Sequence, residues 1–170
     1  MKKSVKLNNL FFPLWLIVWF TPAAWLMALP VNFLIDSAVI IISMKLMGIT
    51  ETGKSYRKSI LRTWLLGFAA DFTGTLLLFI FCLIDSGSKW FNSVQNGVFL
   101  NPFNNIFSFL TVAVCCAVSA VCIYIFNSKY CLKNAELTEK QVKKLSVYLA
   151  VFTAPYLFFF PTALILPYIR

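Results

Sequence analysis

The chain has 170 residues, of which 60% are hydrophobic and 12% charged, with a net charge of +9 and no histidine. A soluble domain is nearer half apolar and a quarter charged, so an ordinary soluble fold is excluded, and one integral membrane domain over residues 1–170 is expected. Without histidine, His-assisted Ser or Cys nucleophiles, His-ligated zinc and His proton shuttles are excluded as well.

Five apolar runs follow one another, and each is long enough to cross a hydrocarbon core of ~30 Å as a helix. They predict an all-α, polytopic helical bundle. The first run, residues 10–29, follows MKKSVKLNN. It is too long for the apolar part of a signal peptide and has no small-x-small site before Pro30, so it is read as a retained helix. The second, 31–48, is almost continuous with it. One helix over both runs would reach ~58 Å, about twice the core, so a turn is expected at Leu29-Pro30-Val31-Asn32.

The connection after it contains GITETGKS, residues 48–55, which has the spacing of a phosphate-binding P-loop. That loop needs a strand before it and a sheet to hold it. Here a membrane helix stands on each side, so nucleotide binding is not expected. A turn is, with Gly48 ending one helix and Thr52 or Ser55 capping the next.

The third run is 60–84. DSGSKWFNSVQNGVFLNPFNN links it to the fourth, 103–126, with Trp90 and Phe91 suited to the lipid interface and Asn101-Pro102 reading as a helix start. The fourth run carries Cys115 and Cys122 with Ser108, Thr111 and Ser119 near one face, a small-residue stripe of the kind that packs helices. The five cysteines show no C-x-x-C spacing, and no disulfide framework, metal or cofactor is expected. TEKQ, 138–141, is a capping-box pattern ahead of the fifth run, 145–167.

Thirteen of the fifteen basic residues flank one side of these runs and only Lys89 and Arg170 the other. The positive-inside rule then predicts a cytoplasmic N-terminus and an external C-terminus, in a cell membrane of the bacterial inner-membrane style. Being spread over three membrane-flanking patches, the basic residues predict no nucleic-acid partner but some affinity for anionic lipid heads. The expected partners are the bilayer and, for so small a bundle, further copies or a larger membrane complex.

Asp36 and Asp71 lie inside apolar runs. An acid at a helix centre costs ~2.5–3.5 kcal/mol on insertion scales, so each is a candidate functional residue. Asn32, Asp36 and Ser43 share one helical face, and Gly67, Asp71 and Gly74 share another with Thr75 nearby. These faces are expected to meet. With the boundaries above, Asp71 and Lys45 fall at similar depth, while Asp36 lies ~12 Å nearer the outside. Asp71 is then either an ion pair with Lys45 that fixes packing, or a binding group for a cation or substrate with Asn32 and Asp36 at the entrance. Pro22 is expected to break the first helix, and Pro155 and Pro161 the fifth. Such breaks border cavities in transporters, where Thr153, Tyr156 and Thr162 could supply hydroxyls.

Small solute or ion transport is the leading expectation, either as a carrier or as the solute-binding subunit of a larger transporter. The alternatives are a non-catalytic accessory subunit and an intramembrane aspartic hydrolase. The A-x-x-x-A pair of Ala24 and Ala28, in a proline-broken bundle, is similar to a helix-contact motif in the substrate-binding subunits of energy-coupling-factor vitamin transporters. NFLIDS and AAD are faintly similar to two segments of the lipoprotein signal peptidases, a resemblance that would imply Asp36 and Asp71 as a catalytic pair. There the Asn32 to Asp36 spacing is one residue longer than in that family, and Phe68 stands in place of an asparagine.

Overall fold

The computed structural model describes Leu16 and residues 21–164, and no strand occurs among them. Helix α1 runs Pro22–Leu46 with Pro30 inside it. The turn expected at residues 29–32 is therefore absent. The helix starts instead at Pro22, whose fixed φ suits a first helical position where no N–H is needed. Pro22 thus begins α1 directly after the extended Thr21. Pro30 removes one internal hydrogen bond, which a membrane helix tolerates when neighbours supply polar contacts. Beside it, the indole N–H of Trp64 donates to the Leu29 carbonyl at 3.1 Å. The expected first run thus shares its last residues with the second, and its earlier part, Leu16 excepted, lies outside the described residues.

Helix α1 ends in a tight turn. Gly48 takes φ 71°, a left-handed conformation that suits glycine, and the Ile49 N–H returns to the Met44 carbonyl at 3.1 Å. Helix α2, Thr52–Leu83, then starts eight residues before the expected boundary, because the basic stretch from Lys54 to Arg62 continues the helix beyond the apolar run. At ~48 Å it overhangs a ~30 Å core. Neither expected cap forms. Glu51 is the N-cap without a side-chain bond, Thr52 donates back to the Ile49 carbonyl, and Ser55 is buried within the helix.

The connection after α2 forms helix α3, Lys89–Leu100. Its Gln95 amide donates to the carbonyls of Phe81, Cys82 and Ile84, tying α3 to the end of α2. Asn101 caps only the short 3-10 turn Pro102–Asn104. Asn105 is the N-cap of α4, Ile106–Phe126, which continues through a π turn, Asn127–Cys131. There the buried Asn127 accepts from Thr63 and donates to the Ile123 carbonyl, both at 2.9 Å.

Helix α5, Glu139–Phe152, begins at the Thr138–Gln141 capping box foreseen in TEKQ. It stops well short of residue 167. Pro155 has no N–H for the next turn, and the chain continues as 3-10 turns over Tyr156–Phe159 and Thr162–Leu164.

The segments Pro22–Leu46, Thr52–Leu83, Ile106–Cys131 and Glu139–Phe159 are long and apolar enough to cross a membrane. This is an all-α bundle with four such spans among the described residues. α2 packs against α1 and α4, and α5 closes the bundle against α4 and α1. The cysteines are all free.

The small-residue stripe of α4 is a packing surface. A Cβ added to Gly74 would lie 2.1 Å from Ser119 Oγ, and one added to Gly97 would lie 2.2 Å from Ser108 Oγ. Each serine therefore sits in a notch that only glycine leaves open. At the other end of the bundle, Glu136 takes φ 57° and pairs with Lys54 at 2.7 Å and with Lys58. Hydrogen bonds from these two ammonium groups hold the Glu136 carboxyl down to about 2.

Candidate functional site: an acid pair beside an interrupted helix

With α1 starting at Pro22, Asp36 lies ~21 Å along its helix from that first residue. Asp71 lies ~18 Å from Leu83, the last residue of α2 and at the same end of the bundle, by the same rise. The ~12 Å offset expected from the sequence came from the misplaced turn at Pro30. The two acids occupy the same depth on facing helices.

Their contacts agree with that depth. Asp36 is 5% exposed, and its Oδ2 lies 3.6 Å from the position of a Gly67 Cβ. Gly67 is one turn before Asp71 on the same face of α2. The two carboxylates are close enough for direct charge interaction, with the Asn32 side chain beside Asp71. The polar faces of α1 and α2 thus meet as expected at Asn32, Asp36, Gly67 and Asp71. Gly74 departs from the pattern and turns to α4.

A cavity of about 340 Å³ opens at this point. Asn32 and Asp71 form its polar wall, Phe68 an aromatic one, and residues 152–158 of the interrupted chain the opposite side. Asp36 lies behind the lining. None of the lining residues is basic. The Asp71 Oδ1 atom is buried with no hydrogen-bond partner. An unpaired buried carboxylate oxygen costs more than one in water, so such a group is expected to bind a proton, a cation or a donor group of a ligand.

The Lys45 alternative does not form. Lys45 is exposed in the last turn of α1, nine residues past Asp36 and so ~14 Å further along the helix. Three of the hydroxyls named from the sequence donate to backbone carbonyls. Thr75 donates to the Asp71 carbonyl at 3.0 Å and Thr153 to the Leu149 carbonyl at 2.8 Å. Tyr156 lines the cavity, but its hydroxyl donates to the Val151 carbonyl. That carbonyl is the one Pro155 would serve if it had an N–H. Thr162 is buried.

Sequence reasoning missed the aromatic wall. Phe68 stacks edge-on to Trp64, which in turn meets Phe33. Their spacing of four along α2 was a usable signal. The stretch 48–55 spans the end of α1 and the first turn of α2, and its Lys54 is ion-paired with Glu51 and Glu136. Among the described residues, no cluster of three or more His, Cys, Asp or Glu side chains could hold a metal ion.

No protein-family model matches the chain, and neither a curated protein nor a solved structure matches it.

Proposed function

We propose that this chain is a small membrane carrier, or the solute-binding membrane subunit of a larger transporter, with its site at Asp71. One observation carries the reading: a carboxylate faces a cavity at mid-membrane depth, and no basic residue lines that cavity to neutralise it. A cavity of this size accommodates a small solute. Asp71 would bind its cationic group, Asn32 would orient the carboxylate, and Phe68 and Phe158 would cover the apolar part or stack on the cation. The basic end of the bundle would face the cytoplasm, as the charge distribution favours.

The test is uptake of protons, sodium and a panel of small organic amines into proteoliposomes. Asp71→Asn should abolish the activity that the native chain shows while accumulating normally in the membrane, and Asp71→Glu should retain part of it. Wild-type uptake unchanged in Asp71→Asn would end this reading. A stoichiometric partner co-purifying with chain that binds nothing would support an accessory subunit instead.

The depth match between Asp36 and Asp71 favours a second reading, an intramembrane aspartic hydrolase. Two such carboxylates would share one proton and activate a water. That reading requires both acids. Peptide cleavage surviving either Asp36→Asn or Asp71→Asn alone would remove it.

A further inference from the structure

The six acidic residues of the chain leave an uneven charge pattern. Asp36 and Asp71 lie within the spans, and Asp85 lies at the outer end, where it accepts from the Gly87 N–H. The three at the basic end are all engaged: Glu51 with Lys54, Glu136 with Lys54 and Lys58, and Glu139 with Lys143. No acid remains there for Lys140 and Lys144.

Those two lysines stand one turn apart on α5 and line an open groove of about 290 Å³. The opposite wall is Leu46 and Met47, at the end of α1. Lys45 is exposed beside it. Two apolar stripes lead from the groove into the spans. One is Leu46 and Ile42 on α1, 77% and 57% exposed, and the other is Val147 and Val151 on α5. The groove therefore has cations on one wall, and helical spacing carries each wall on into an exposed apolar stripe. Lys144 also lies over the Tyr148 ring at 5.8 Å, which directs its stem along α5.

We infer that this groove is a binding site for one anionic phospholipid, its phosphate between Lys140 and Lys144 and its acyl chains along Ile42, Leu46, Val147 and Val151. Charge complementarity selects the head, and the apolar stripes select a lipid over a soluble anion. The site is separate from the Asp71 cavity and does not depend on what that cavity binds.

The experiment is native mass spectrometry of the full chain in mixed micelles holding equal phosphatidylglycerol and phosphatidylcholine. The native protein should retain one phosphatidylglycerol in preference to phosphatidylcholine. A lysine near an anionic headgroup contributes roughly fivefold in affinity, so Lys140→Gln with Lys144→Gln should weaken retention ~25-fold. Lys129→Gln with Lys133→Gln removes the same charge from the same end, outside the groove, and should change retention less than about twofold if affinity tracks groove contacts. Equal loss in both double variants would show diffuse attraction and overturn the site. So would equal retention of the two lipids by the native protein. Displacement of the lipid by millimolar inorganic phosphate would make it a free-anion site and overturn the lipid assignment.

Discussion

The Tyr156 hydroxyl donates to the carbonyl of Val151, the acceptor left without a partner by Pro155. A side chain thus closes the gap that a proline opens in α5, and the helix ends without an orphaned carbonyl at that position.

This contact predicts a coupled pair. Tyr156→Phe should destabilise the bundle by about 0.5–1.5 kcal/mol, the usual net worth of one hydrogen bond. In a Pro155→Ala background the restored N–H can serve Val151, and the same Tyr156→Phe change should cost much less. Denaturant titration of the four proteins measures the coupling. Equal costs in both backgrounds would show that the hydroxyl does not compensate for the proline.

Gly74 makes a second prediction. Its missing Cβ is the space that Ser119 Oγ, Phe158 and the Cys115 carbonyl occupy. Gly74→Ala should cost about 1–3 kcal/mol through overpacking. Gly53→Ala, on the same helix with nothing within 4 Å, should be neutral or stabilising by up to about 1 kcal/mol. Thermal melts of the two variants should move in opposite directions, or only the first should move.

The buried pair of Thr63 and Asn127 gives a third. Thr63→Val keeps the shape of the side chain and removes the donor at 2.9 Å, leaving the Asn127 amide oxygen buried without it. A loss of about 1–3 kcal/mol is expected, read as a lower midpoint in denaturant with the helical circular dichroism of the folded state unchanged.

The fourth concerns pH. The Glu136 carboxyl sits at about 2 against an ordinary 4.5, held there by Lys54 and Lys58. A carboxyl depressed in the folded state stabilises it fully above its ordinary value, and that contribution fades as pH falls from about 4.5 towards 2. The melting temperature of the native protein should therefore fall across this window more than that of Glu136→Gln. The two curves should approach each other at the acid end. Parallel curves would mean that the ion pairs are too solvated to contribute.

How much of this was legible beforehand depended on the kind of signal. Length and apolarity identified the all-α bundle, because a hydrocarbon core sets a minimum run that composition cannot hide. The Thr138–Gln141 box and the Gly48 turn were readable because each is a local bond pattern within a few residues. Pro30 misled for a tertiary reason. Whether a proline ends a helix or sits inside it depends on what packs around it, which the local pattern does not carry. That one boundary also displaced the acids. Asp36 and Asp71 were identifiable as costly residues from their apolar context, but their common depth needed the true start of α1. The commitments of Thr75, Thr153 and Tyr156 to backbone carbonyls were illegible for a similar reason, since a hydroxyl's partner is chosen by local geometry, not by composition.

The two serine–glycine notches have one more consequence. Ser108 fits Gly97 and Ser119 fits Gly74, and the two points lie ~16 Å apart along α4. Held at both, α4 can neither slide nor roll past its neighbours without driving a hydroxyl into backbone. It is the fixed post of the bundle. Phe158 enters the same Gly74 notch, so the chain after Phe152 is pinned to that post as well.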